Sequence, residues 1–289
     1  MQTKLQFLVP FRREYTYLEI CLQSIVNQSV AGWTAIVIDD QEEDNDFCDS
    51  IVKNLGDERI TTVRKKARGM IWDSWNFALS HAKPGLATLF HSDDVLHPYY
   101  VESMLEYATR FPEAAAFFTQ AVTIDGEGRK RFSCIDFAKK LIALSYTLGR
   151  TLELEGESGL AKILKGNFVF CPSLCYVISE DTSFEFKPYR QVLDFDLLTS
   201  FILNGRKVVG IPRKLISYRR HSENFSVINN RANIRFEEER QLYDDLAVRA
   251  EAAGWNRASQ IAMRKFIVYA HHYFINYRSL FRKSTRSES

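Results

Sequence analysis

Two pairs of adjacent carboxylates stand at the ends of apolar runs, and chemistry is read from them first. Residues 87–98 read ATLFHSDDVLHP. Strand formers there deliver Asp93 and Asp94 to a strand end, and a helical pattern opens at Tyr99. Residues 34–40 read TAIVIDD and deliver Asp39 and Asp40 in the same manner. Open α/β sheets bind ligands outside the carboxyl ends of their strands. Paired carboxylates there suit a hard divalent cation that keeps some water and takes phosphate oxygens. The expectation is a nucleotide-diphosphate site. The competing reading makes Asp93 and Asp94 caps of the next helix, and Asp39 and Asp40 the start of a turn.

The elements that must position these acids follow from periodicity. LQFLVP at 5–10 reads as a buried strand, and residues 17–28 place Leu18, Cys21, Leu22, Ile25 and Val26 at helical spacing. The 34–40 strand is followed by an acidic loop, a helix over about 46–55 and a strand at 60–64. A helix over 70–82 leads to a strand over 86–91. Strands alternating with helices imply a parallel sheet built from right-handed crossovers. Further on, the pattern predicts a helix over 99–111 and a strand over 114–124, closed by the turn Asp125-Gly126-Glu127-Gly128. Residues 129–165 have weak periodicity and read as variable, substrate-shaping structure. A strand pattern returns over 168–178, VLDFDLL at 192–198 leads into a helix, and short strands follow at 207–211 and 215–218. From Arg231 the pattern is helical with a break near Gly254.

Composition removes several classes of function. With 289 residues and 46% apolar content the chain can bury a full core as one large domain, or one domain with an appendage. A formal charge of +2 is too small for a strongly basic nucleic-acid binder. Five cysteines without a CxxC pair argue against a disulfide framework or a zinc ribbon and for a reducing compartment. No apolar run approaches the roughly 18 residues of a membrane span, and the first residues enter a strand pattern rather than a signal peptide. A cytoplasmic protein, soluble or peripherally attached, is expected. The turn after the first strand, Phe11-Arg12-Arg13-Glu14, has no glycine, so the dinucleotide fingerprint is missing, and no P-loop motif occurs.

Taken in order, these segments resemble glycosyltransferase family 2 enzymes of the GT-A fold over about residues 5–226. The resemblance rests on a linked set of motifs: the first strand; QSIVNQ at 23–28 after Tyr17; IVIDD at 36–40; Gly69, Asn76 and Ala78 before Ser92-Asp93-Asp94; Asp194 in LDFDL; and Tyr218-Arg219-Arg220-His221 with Asn224 and Ser226. It implies an α/β fold with a mostly parallel central sheet. It further implies a nucleotide-sugar-binding half over 1–124, an acceptor-binding half over 125–228, and a C-terminal helical extension over 229–289. Donor contacts are implied for Pro10, Arg12, Asp39, Asp40, Gly69, Asn76, Ser92, Asp93 and Arg220. Asp40, or Asp39 in its place, matches the acid that accepts the imide N–H of the donor base. Asp93, Asp94 and His221 match the ligands of Mg2+ or Mn2+ held against the diphosphate. Asp194 matches the general base, with Asp196 the competing residue or a capping acid.

The sequence departs from the family pattern in three places. His91 stands where the family often has another acid, although imidazole can also bind a metal. Arg12 and Arg13 replace a Tyr-Asn pair, and Leu193 replaces a Glu. These departures prompt the alternative of a catalytically silent sugar-nucleotide or glycan-binding module. Trp72 and Trp75 read as packing rather than as sugar platforms. The expected activity is metal-dependent inverting transfer from a nucleotide-diphosphate sugar, UDP-linked, to a glycan or lipid-linked acceptor. The tail from Arg264 carries six Lys/Arg against one Glu, interleaved with aromatics. Over 264–286 it resembles an interfacial helix for peripheral membrane contact; the alternative is a helix packed on the core or on a second copy in a homodimer.

Overall fold

The computed structural model describes residues 4–12, 15–41, 46–66, 69–132, 137, 141–144, 148–180, 184–221, 229 and 233–273. A mixed sheet runs through them. Its strands are β1 (Leu5–Phe11), β2 (Trp33–Asp39), β3 (Ile60–Arg64), β4 (Gly85–Leu89), β5 (Val95–Leu96), β6 (Ala114–Ile124), β7 (Leu152–Leu154), β8 (Cys175–Ile178) and β9 (Lys207–Arg219). The order is β3-β2-β1-β4-β8-β6-β9-β5, and β7 pairs with β9. The first four strands are mutually parallel where they pair, and β8 runs antiparallel to both β4 and β6.

The helices are α1 (Tyr15–Val26), α2 (Phe47–Leu55), α3 (Ile71–Leu79), α4 (Tyr100–Arg110), α5 (Gly156–Ile163), α6 (Leu193–Leu203), α7 (Ile234–Ala252) and α8 (Asn256–Arg264). They divide between the two faces of the sheet. Side chains of α1, α2 and α4 pack with Phe7, Val9, Val37 and Phe117. Those of α3, α5, α6, α7 and α8 pack with Leu8, Ile38, Ala116 and Phe118. Adjacent residues of β1 and β2 thus feed opposite cores, as strand alternation requires. A strand buried on both faces reads as an uninterrupted apolar run, which is how LQFLVPF appears in the sequence.

The crevice that holds the site follows from the strand order. β1 lies between β2 and β4, and consecutive strands diverge from that point in opposite directions, so the carboxyl ends of β1 and β4 border a switch point. Pairing of β1 with β4 stops at Leu8, whereas pairing with β2 continues to Phe11. Pro10 therefore occupies a stretch of β1 with a partner on one side only, which is where a strand tolerates a residue without an N–H.

Four local differences from the sequence expectation have physical causes. The strand expected over 168–178 is confined to Cys175–Ile178, preceded by a 3-10 turn at Cys171–Ser173 where Pro172 interrupts ladder donors. The strands expected at 207–211 and 215–218 are one strand, β9, whose register against β6 shifts around Gln120 to accommodate Pro212. β5 is only two residues long and pairs with Ile216 and Ser217, so no local period marks it. The weakly periodic 129–165 stretch contains β7 and α5.

The described C-terminal helices are part of the same core. Leu242, Tyr243, Leu246 and Ala250 of α7 are buried, Tyr243 donates to the Leu164 carbonyl at 2.9 Å, and Val268 is buried beyond α8. Among the described residues no helix is long and apolar enough to cross a membrane.

Candidate active site

Asp39 and Asp40 end β2 beside the crevice, and both are buried. The Asp40 N–H donates to the Phe11 carbonyl at 2.9 Å, which fixes the acid against the end of β1. Asp40 Oδ2 accepts from Arg12 Nε at 3.1 Å, from Arg12 Nη2 and from the Ser74 hydroxyl. Arg12 Nη2 also reaches the Gly69 carbonyl at 2.8 Å and Ser74 Oγ at 3.1 Å. Arg12 thus ties β1, β2, the 69–70 turn and α3 together while balancing a buried charge. On the other oxygen, Oδ1, Lys65 Nζ stands at 3.8 Å, outside hydrogen-bond reach. Asp39 is more fully used. Its Oδ1 accepts from the Gln41 N–H at 3.2 Å and from Gln41 Nε2 at 2.9 Å, and its Oδ2 pairs with Arg64 at 2.7 Å. At Gly69 an added Cβ would fall 1.7 Å from Asp73 Oδ2, a carboxylate held by Lys65 at 2.7 Å, so the close approach needs glycine.

The second pair of acids follows β4. The Phe90 N–H donates to the Leu8 carbonyl at 2.8 Å, and the chain then turns, with the Asp94 N–H on the His91 carbonyl at 3.2 Å. Ser92 and Asp94 are buried. Asp94 Oδ1 accepts the Arg219 N–H at 2.7 Å, while Oδ2 is buried and has no hydrogen-bond partner. Asp93 Oδ2 lies 3.0 Å from His221 Nε2. Arg219 organises this corner: its Nε donates to the Asp93 carbonyl at 2.7 Å and its Nη1 to the Gly126 carbonyl at 2.9 Å. Its guanidinium also lies 4.4 Å from the centre of the Tyr17 ring. Burial, reinforced by the Asp93 charge, pushes the Asp94 carboxyl well above the usual carboxylate range despite the Arg219 contact. Burial likewise lowers His91.

His91, Asp93 and Asp94 offer ligand atoms that all lie within 4.8 Å of one another. An orphaned buried carboxylate oxygen, a second acid beside it and an imidazole in reach form a donor set that fits a divalent cation.

The first turn of α6 carries Asp194 and Asp196, both buried. Asp196 Oδ1 is paired with Lys187 Nζ at 2.8 Å. The segment leading into α6 is clamped by Asn76 of α3, which donates to the Phe186 carbonyl at 2.9 Å and accepts the Phe186 N–H at 2.8 Å. Both ends of the carboxamide bond to Phe186, so Asn76 fixes this segment against α3. The Phe186 ring packs on Trp75 at 5.0 Å, and Trp75 meets His91 at 5.5 Å. A continuous set of contacts therefore runs from His91 through Trp75 and Phe186 to the segment that leads into α6. Asn76→Ala strips two buried backbone groups of their partners, each costing about 1–3 kcal/mol. It is expected to lower the thermal midpoint by several degrees and to reduce kcat more than donor affinity, read by thermal unfolding and steady-state kinetics.

Of the residues singled out from sequence, the structure gathers Arg12, Asp39, Asp40 and Gly69 around the end of β2, and Ser92, Asp93, Asp94 and His221 around the end of β4. Pro10 lies between them on β1. Arg220 sits beside its expected place: its N–H donates to the Ile124 carbonyl at 2.9 Å and its guanidinium lies 5.6 Å from the Tyr218 ring centre, while Arg219 meets the acids. Trp75 reads from sequence as packing, and although Tyr17 and Arg219 belong to the family motifs, nothing local in the sequence reports their contact with each other or with the acids. Asn224 and Ser226 lie outside the described residues.

Comparison with known proteins decides the family. The profile described as Glycosyl transferase family 2 matches residues 7–172, more than half of the chain. This chain belongs to glycosyltransferase family 2. The match includes both acid pairs and β1 to β6. Glycosyltransferase GlyG of Streptococcus pneumoniae serotype 4 is 22% identical over 227 residues, covering 77% of this chain and 72% of that protein. Among solved structures, S. aureus TarS 1-349 superimposes with a TM-score of 0.65 at 13% identity, covering 91% of this chain and 71% of the other. The same protein in complex with UDP-GlcNAc gives a TM-score of 0.64 at 14% identity, covering 84% and 66%. The sheet and its flanking helices are thus those of a GT-A glycosyltransferase.

Proposed function

We propose that this family 2 glycosyltransferase moves a sugar from a UDP-linked donor to a glycan or lipid-linked acceptor, with inversion at the anomeric carbon and in dependence on Mg2+ or Mn2+. The observation that carries the reading is Asp94, a fully buried carboxylate with an orphaned oxygen beside His91 and Asp93 at the mouth of β4. A uridine donor is supported by the TarS structure with UDP-GlcNAc, whose fold this chain shares. It is also supported by Asp40, a buried carboxylate after β2 that can accept the imide N–H of uracil through Oδ1.

In this mechanism Arg12 and Ser74 hold Asp40 so that the remaining oxygen faces the base. Asp93, Asp94 and His221 would hold the cation, which when bound would supply Lewis-acid stabilisation of the negative charge on the leaving nucleotide. Asp194 accepts the proton of the acceptor hydroxyl as that oxygen forms its bond to the anomeric carbon. The bond from that carbon to the diphosphate oxygen breaks on the opposite face, and UDP leaves. No covalent sugar intermediate on the protein is required. Asp196, already paired with Lys187, is the weaker claimant to the base role.

The testing experiment incubates the full chain with a panel of nucleotide sugars, with Mn2+ or with chelator, and measures free nucleotide. Metal-dependent release from UDP-sugars is expected, and release that is equal across nucleotides, or unaffected by chelator, contradicts the reading. Binding without any turnover would instead favour the silent module.

For the acceptor, exposed Phe266, Tyr269 and Tyr273 lie in the described part of the basic tail and support peripheral contact with the cytoplasmic face of a membrane. The remainder of 264–286 lies outside the described residues. Flotation with anionic liposomes is expected for the wild-type chain and is expected to fall several-fold for the Phe266→Glu, Tyr273→Glu double variant. Equal flotation of the two argues instead for contact with a second copy of the chain.

A further inference from the structure

Residue 91 presents an imidazole beside the carboxylates of Asp93 and Asp94. Its Nδ1 stands 3.8 Å from Asp94 Oδ2, too far for a hydrogen bond between them. Two donor atoms that share one cation at ordinary ligand distances are themselves about 3–4 Å apart, so the separation suits a common ion. Asp94 Oδ2 and His91 Nε2 are both buried and without hydrogen-bond partners among the described residues, so none of these competes for the carboxylate oxygen or fixes the imidazole proton on Nδ1. The ring is also held: it packs on Trp75 at 5.5 Å, and the His91 carbonyl lies 3.6 Å from the Cys21 thiol.

We propose that His91 is a nitrogen ligand of the divalent cation, completing a His91-Asp93-Asp94 set, and that it shifts the site's preference from Mg2+ toward Mn2+ and Co2+. Mg2+ is strongly hydrated and favours oxygen donors in regular octahedra, whereas affinity for imidazole rises along the first transition row. A carboxylate at position 91 would add no such bias, whereas the His91 nitrogen adds it without loss of the Lewis-acid role.

The inference rests on the metal dependence proposed above, and the experiment separates the two. The full chain is titrated with UDP in the presence of MnCl2, of MgCl2 and of neither, by calorimetry, and the Mn2+ complex is examined by pulsed electron paramagnetic resonance. Imidazole-nitrogen modulation is expected in the wild type and in His221→Ala, where His91 is its remaining source, and is expected to weaken to the His221 contribution in His91→Asp. The ratio of Mg2+ to Mn2+ dissociation constants is expected to fall by about tenfold or more in His91→Asp. Mn2+ bound with UDP but without nitrogen modulation in the wild type overturns the role of His91. So does modulation lost in His221→Ala, a reading that does not require the His91 variant to fold. UDP binding that ignores both metals overturns the metal dependence itself, and the His91 role with it.

Discussion

Asp194→Asn is expected to lower kcat for transfer by about 10²–10⁴ while leaving UDP affinity within about twofold of wild type. The substitution keeps the size of a buried side chain in the first turn of α6 and removes its capacity to take a proton. The base acts only as the acceptor oxygen attacks, so the loss belongs to the transition state and not to donor binding. Asp196→Asn provides the contrast. Its carboxylate is paired with Lys187 at 2.8 Å, so the expected effect is on stability and on the loop before α6. Kinetics and calorimetry on the two variants together assign the base; a larger fall in kcat for Asp196→Asn reverses the assignment.

Asp94→Asn is expected to abolish the metal dependence of donor binding and to reduce turnover by about 10²–10³. Asp94 is fully buried, and one of its oxygens already serves the Arg219 backbone. The amide can keep that bond through its own oxygen, so the fold is expected to survive, but the charge that attracts the cation is gone. The check is a titration of the variant with Mn2+ and UDP beside its thermal unfolding curve. Unchanged Mn2+ affinity in a folded variant removes Asp94 from the ligand set.

Much of this arrangement is legible in the sequence, for identifiable reasons. β1, β2 and β4 are largely buried on both faces, so they stand out as apolar runs, and the acids after β2 and β4 mark where those runs stop. His91 is visible as a departure from the family pattern, although only the structure brings its ring beside Asp94. Contacts between distant segments are not legible. Arg219 binds Asp94 across 125 positions and Asn76 binds Phe186 across 110, and neither residue sits in a periodic pattern that reports its partner. The Arg12–Asp40 pair is an intermediate case. The sequence shows an arginine after β1 and an acid after β2, but the parallel register that brings the two strand ends together is a property of the sheet.

Isothermal titration of the wild-type chain with UDP, in Mn2+ and again in chelator, tests the central claim most directly. Binding in Mn2+ is expected to weaken by about tenfold or more when the metal is removed, since the neighbouring carboxylates of Asp93 and Asp94 would repel a diphosphate with no cation between them. UDP affinity that is the same in both conditions would contradict it.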